Sequence, residues 1–233
     1  MPSLPYNKKT NMIKVCTTFS GYDSQCLALK YAGIPFELVG WSEIDKYAIQ
    51  AHNALFPEYA DRNLGDITKV DWEQVPDFDL LTYSSPCQDI SNAGMQRGLE
   101  KGSGTRSSLL WEVEKAIEAK HPKFLLMENV KALVGKKFRA DFEAWLETLR
   151  SYGYENHWQV LNAKDYGIPQ NRERVFVVSI LGGGNFKFPE RIPLKKRLAD
   201  VLEDEVDEKY FVSDEHVRKM VEHCCTKEYD DLF

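Results

Sequence analysis

The chain has 233 residues, 43% of them hydrophobic and 28% charged, with a net charge of −6, which fits one domain with a full core, or a domain plus an appendage. No apolar run approaches membrane-spanning length, the polar start from Met1 to Lys9 is not a secretory signal, and the five cysteines, Cys16, Cys26, Cys87, Cys224 and Cys225, form no Cys-x-x-Cys pair. A zinc site and a disulfide framework are therefore not expected, and a reducing cytoplasm is.

Taken in order, Met12 to Phe19 is a β-branched, apolar run that predicts a first strand. Gly21 supplies the turn, and a helix from Ser24 to Tyr31 stops at Gly33 with Pro35 just beyond. Phe36 to Trp41 predicts the second strand, and Asp45 caps a helix running to about Leu55, before Pro57. Leu64 to Thr68 reads as a loop or edge element. Phe78 to Tyr83 predicts a buried parallel strand, ended by Pro86, which cannot continue a central strand. Ser107 or Ser108 opens a helix with Leu109, Leu110, Val113 and Ile117 on one face. Lys123 to Met127 is another buried strand, running into Glu128-Asn129-Val130. A helix from Arg139 to Tyr152 carries Phe142, Trp145, Leu146 and Leu149 as a core stripe and stops at Gly153. Trp158 to Leu161 and Arg174 to Ile180 predict two strands at a hairpin edge, and a last helix spans about Ser213 to Cys224.

Strands alternating with helices predict an α/β fold with a doubly wound, mostly parallel sheet. The expected organisation is an N-terminal tail at 1–11, a domain at 12–181, and an appendage at 182–233. Charge is uneven along the chain. Arg172, Arg174, Lys187, Arg191, Lys195, Lys196 and Arg197 make a basic stretch, followed by the acidic run from Asp200 to Glu208. A basic stretch in an acidic chain is a signal for DNA, and equally an ordinary solvated surface.

The chemistry concentrates at strand ends. Cys87 follows a strand's carboxyl end, where open α/β sheets place their sites. The loop after it carries Gly94, Gly98, Gly102 and Gly104 with Arg97, Lys101 and Arg106. That makes Cys87 a candidate nucleophile, against the commoner reading of a buried structural cysteine. The Gly21 turn aims backbone N–H groups and a helix N-terminus at a ligand. Glu43 ends the second strand, where an acid bonds ribose hydroxyls, and Asp66 follows the third element. Taken singly, each acid reads as a cap or a surface charge; together they describe an adenosine-type pocket. Glu128 ends its strand as Cys87 does, and burial beside a base would let it hold or donate a proton. Arg172 and Arg174 are read as alternating across a strand, so that one enters the pocket.

In this order, Phe19-Ser20-Gly21, Glu43-Ile44-Asp45, Gly65-Asp66-Ile67, Pro86-Cys87-Gln88, Glu128-Asn129-Val130 and Gln170-Asn171-Arg172-Glu173-Arg174 resemble the motifs of the cytosine carbon-5 DNA methyltransferases, from about Ile13 to Ile180. The resemblance implies a Rossmann-like, S-adenosylmethionine-dependent methyltransferase fold with no metal. It implies cofactor contacts at Phe19, Ser20, Gly21, Glu43, Ile44, Asp66, Ile67, Pro86 and Leu109, and catalysis by Cys87, Glu128, Arg172 and Arg174. The Cys87 thiolate would attack carbon 6 of a cytosine flipped out of double-stranded DNA, Glu128 would hold ring nitrogen 3, and Arg174 would bind the exocyclic oxygen.

Two departures stand out. The family usually has glycine where Asp23 stands, which puts a carboxylate near the methionine end of the cofactor. The recognition region and last motifs of the family are not recognisable before Phe233, so 182–233 is expected to be the start of a truncated recognition region. A second chain or segment would then complete the enzyme, which is bacterial or phage-encoded in style. A tRNA cytosine methyltransferase and a non-catalytic subunit that binds cofactor or partner remain as other readings.

Overall fold

A computed structural model describes residues 12–86 and 109–225. Cys87 and the glycine-rich and basic loop residues from Gly94 to Arg106 lie outside the described residues, as do Ser107 and Ser108. Among the described residues six strands form one sheet, in the order β2-β1-β3-β4-β6-β5. They are β1 (Ile13–Thr18), β2 (Phe36–Ser42), β3 (Leu80–Tyr83), β4 (Phe124–Val130), β5 (Tyr154–Asn162) and β6 (Glu173–Leu181). β2, β1, β3 and β4 run parallel, and β6 lies antiparallel to both β4 and β5. The α/β, doubly wound, mostly parallel architecture is the one that strand–helix alternation predicts.

Among the described residues, five α-helices connect or follow the strands: α1 (Ser24–Tyr31), α2 (Lys46–Leu55), α3 (Leu110–Lys120), α4 (Arg139–Ser151) and α5 (Asp214–Cys225). From Val15 to Thr18 every residue of β1 is buried, as is every residue of β2 from Leu38 to Ser42. Burial of consecutive residues requires cover on both sheet faces. One face packs on α3 and α4, through Leu110, Val113, Ile117, Phe142, Trp145 and Leu149. The other packs Val15, Leu38 and Trp41 against Cys26 of α1 and the buried Phe56 just after α2. The α4 stripe is core, as its spacing predicts, and the one polar atom of Trp145 is satisfied by Tyr83 Oη at 3.2 Å.

Two expectations need correction. β4 does not end at Met127 but runs through Glu128 and Asn129 to Val130, because β6 pairs with it along that length, Glu128 opposite Phe176 and Val130 opposite Arg174. Glu128 therefore sits within the strand. The two arginines do not alternate across a strand, because residues two apart on a strand share a face, and Arg172 lies just before β6 and not on it. The Asn162 side chain accepts from Arg172 N at 3.1 Å and holds that residue outside the ladder.

Beyond Leu181 the chain is largely exposed. It touches the sheet domain where Ile192 bridges Tyr166, where Arg191 pairs with Asp165 at 3.4 Å, and where Phe186 lies 5.6 Å from the His157 ring. Among the described residues, no helix is long and apolar enough to cross a membrane.

Candidate active site

The chain leaves β1 toward β2 on one side, while β3 lies on the other side of β1. The crevice at the carboxyl ends of β1 and β3 is thus the switch point where such sheets take ligands. Three residues of the turn after β1 have left-handed backbone, Phe19 at φ 54°, Gly21 at φ 57° and Asp23 at φ 66°. Glycine adopts this freely, whereas a bulky side chain such as Phe19 is strained there by on the order of 1–3 kcal/mol. Such strain gathers at ligand sites.

Glu43, just past β2, reaches back over this turn. Its Oε2 accepts from Gly21 N at 2.9 Å, and Oε1 accepts from Ile44 N at 2.8 Å and Asp45 N at 2.9 Å. Ile44 beside it is 72% exposed, an apolar surface at the mouth of the crevice. Asn63 clamps the next segment against β2. Its Oδ1 accepts from Glu43 N and Gly65 N, and its Nδ2 donates to Glu43 O. Asp66 then accepts from Thr68 N and Thr68 Oγ1, and these hydrogen bonds hold its carboxyl below the usual carboxylate range. Ile67 turns its side chain into the core, so only its main chain is left for a ligand. Ser20 is buried, with Oγ donating to Ser42 O at 3.4 Å.

Asp23 does not face the crevice. It is fully buried, and its carboxylate accepts from Cys26 N at 3.3 Å and Thr17 Oγ1 at 2.9 Å. The expectation of a carboxylate near the cofactor's methionine end does not match this geometry. A left-handed backbone at Asp23 swings the side chain inward.

β3 leads into Ser84-Ser85-Pro86, and Cys87 is the next residue in the chain. This segment is gripped from two sides. Asn129 Nδ2 donates to Ser85 O and Oγ at 3.3 Å, and Gln25 Nε2 of α1 donates to Ser84 Oγ at 3.0 Å. Glu128, on the opposite face of β4 from Asn129, pairs with Arg174 Nε at 3.0 Å, both side chains about a quarter exposed at 23% and 24%. Their diagonal placement across β4 and β6 follows from the register. Arg172 is exposed and makes no part of this pair, and Glu173 between them bonds Lys131 at 2.9 Å. Leu109 caps α3 and is half-buried, as is Pro86.

Sequence reasoning missed Asn63, Gln25 and the grip of Asn129 on Ser85. Of these, only Asn129 carried a signal, since the residue next to Glu128 on a strand must face the other way. Cys16 and Cys26 are buried beside Asp23. Burial first, then the Asp23 charge, pushes both thiols far above the ordinary range, so neither supplies a thiolate.

A family model described as C-5 cytosine-specific DNA methylase matches residues 13–229. The chain is 41% identical over 275 residues to the type II methyltransferase M2.ScrFI of Lactococcus lactis subsp. cremoris, covering 94% of this chain and 76% of that protein. It is 33% identical to the orphan methyltransferase M.Rho11sI of Bacillus phage rho11s, over 95% of this chain and 50% of that one. The fold is similar to S. pombe Dnmt2 methyltransferase, with a TM-score of 0.70 at 22% identity, covering 91% of this chain and 66% of the other. It is likewise similar to the methyltransferase EhMeth of Entamoeba histolytica, at 0.73 and 19%, with the same coverage. The chain thus spans between half and three quarters of the length of the curated relatives named here.

Proposed function

The chain belongs to the C-5 cytosine-specific DNA methylase family, and on that premise we propose that it carries the catalytic part of an enzyme methylating carbon 5 of cytosine in double-stranded DNA, with S-adenosylmethionine as donor. The observation that carries this reading is the pairing of Glu128 with Arg174 on the strand whose next residue, Asn129, grips the segment leading into Cys87. A proton-holding acid, an oxygen-binding cation and a thiol are what the reaction needs; Glu128, Arg174 and the Ser84–Pro86 segment that precedes Cys87 in the chain lie at the carboxyl ends of β3 and β4.

The residues fit the cofactor. The strained turn from Phe19 to Asp23 presents backbone N–H groups, Glu43 and Asp66 supply carboxylates, and exposed Ile44 offers an apolar contact for a flat base. Ile67 contributes through its main chain, and Ser20, Pro86 and Leu109 complete the surroundings. When bound, S-adenosylmethionine supplies an electrophilic methyl group.

Cys87 then acts on the base. Its thiolate adds to carbon 6 of a flipped-out cytosine, which makes carbon 5 electron-rich enough to take the methyl. Glu128 holds a proton at ring nitrogen 3 and Arg174 bonds the exocyclic oxygen, both opposing the negative charge that the addition pushes into the ring. Loss of the carbon-5 proton and departure of the Cys87 thiolate restore aromaticity. Arg172, exposed at the rim, suits a phosphate contact. Residues 182–233 are taken as an appendage that begins a target-recognition region. Buried reduced thiols and bacterial and phage relatives support a cytoplasmic setting.

DNA carrying 5-fluorocytosine tests this directly. In the presence of S-adenosylmethionine a covalent protein–DNA adduct should accumulate, and it should vanish in Cys87→Ser. An adduct that survives the substitution sinks the assignment of Cys87, and methyl transfer to tRNA in place of duplex DNA sinks the choice of substrate.

A further inference from the structure

The turn between β1 and α1 is held from two sides. On its open side, Glu43 accepts from Gly21 N at 2.9 Å. On its buried side, Asp23 Oδ2 lies 3.5 Å from His52 Nε2, with both side chains fully buried. His52 comes from α2, and its ring lies flat on Trp41, with centroids 3.7 Å apart and planes 17° apart. Trp41 is the β2 residue two before Glu43. Among the described residues neither ring nitrogen of His52 has an aligned hydrogen-bond partner, so the Asp23 carboxylate is the acceptor it faces.

Asp23 caps α1 through Cys26 N and accepts from Thr17 Oγ1, which accounts for its carboxylate, but the buried imidazole set against it, with neither nitrogen hydrogen-bonded, is costly as mere scaffolding. A buried carboxylate and a buried imidazole each lose solvation. Glycine would supply the left-handed backbone at Asp23 without strain. The cost has a return in the turn itself. Glu43 already accepts three backbone N–H groups, and a carboxylate has about four lone-pair sites. That leaves room for one ribose hydroxyl; to accept from two, Glu43 must release a present donor, and Gly21 N is the one that belongs to another segment. At that moment the turn loses its open-side anchor.

We propose that Asp23 and His52 form a buried brace that keeps the Phe19–Asp23 turn in its ligand-receiving shape when Glu43 transfers its carboxylate from Gly21 to the cofactor. Both are positioning residues, acting through the turn and touching neither substrate nor cofactor. The proposal deepens the cofactor reading given above and rests on it. His52→Phe keeps the stack on Trp41 and removes only the nitrogens, while Asp23→Gly removes the carboxylate and keeps the backbone conformation.

The experiment is calorimetric titration with S-adenosylhomocysteine, run at a temperature where circular dichroism shows every variant folded. Each single substitution should raise Kd by about tenfold or more. Asp23→Gly also loses the carboxylate's bonds to Cys26 N and Thr17 Oγ1, so the double variant should be no weaker than Asp23→Gly alone, because His52→Phe removes only a contact that Asp23→Gly removes as well. His52→Gln, which restores a donor, should recover most of the affinity. Unchanged Kd in both singles, or losses that add in the double, overturns the brace while Glu43→Ala still weakens binding. A silent Glu43→Ala overturns the cofactor reading instead. Hydrogen exchange of the Gly21 and Asp23 amides reads the brace without ligand. Exchange should quicken in both single variants, and unchanged exchange rejects the proposal.

Discussion

On the proposed mechanism Arg174 has two duties, one to Glu128, with which it pairs, and one to the substrate oxygen. With about a quarter of each side chain exposed, water still reaches the pair, and ion pairs this open are worth about 0–1 kcal/mol. Arg174 can therefore leave Glu128 for a substrate at little cost, which a tightly buried pair would not permit. The same openness separates stability from catalysis. Glu128→Gln should change unfolding free energy by no more than about 0.5 kcal/mol, as for other partly exposed polar changes. It should cut methyl transfer by about a hundredfold or more, the usual loss with a general acid. Urea unfolding beside initial rates at saturating cofactor and DNA checks both. A rate that falls only in step with folded protein would make Glu128 structural.

Among the elements, α2 matters because it carries His52 and starts directly after Glu43. Asp45 caps it twice, with Oδ1 accepting from Tyr47 N and Ala48 N at 2.9 Å. Asp45→Ala should cost about 1 kcal/mol in urea unfolding, the usual worth of an N-cap. Cofactor affinity should fall with it, because Glu43 also accepts from Asp45 N. A stability loss with no change in affinity would uncouple the helix start from the crevice. α1, α2 and α4 were legible in the sequence to within a residue because caps, glycines and prolines punctuate them locally. The end of β4 was not, since its last residues are strand only by pairing with β6, far along the chain. Nor was the inward turn of Asp23, where the sequence shows a departure from glycine but not His52 waiting on another helix. The strand-end acids and the Glu128 motif were readable. The grips of Asn129 and Gln25 on the segment before Cys87 depend on how β3, β4 and α1 lie side by side, which no local pattern encodes.

At the scale of the whole molecule, the sheet joins partners of very different separation. β5 and β6 pair as near neighbours in sequence, Asn162 with Glu173, while β1, an interior strand, pairs with β3 across the whole of α1, β2 and α2. Loop-closure entropy grows with the chain to be closed, so the hairpin edge should fold before the central seam. Pulse-labelled hydrogen exchange during refolding should protect the amides of Val175 and Val177 before those of Thr17 and Leu81; the reverse order would refute it. The switch point between β1 and β3 has a second meaning in this light. On this order, the crevice proposed to receive the cofactor is the last part of the sheet to close, and its closing completes the fold. A ligand that binds only the closed form draws that equilibrium forward by mass action. The methyl donor would then serve as a late folding partner as well as a reactant.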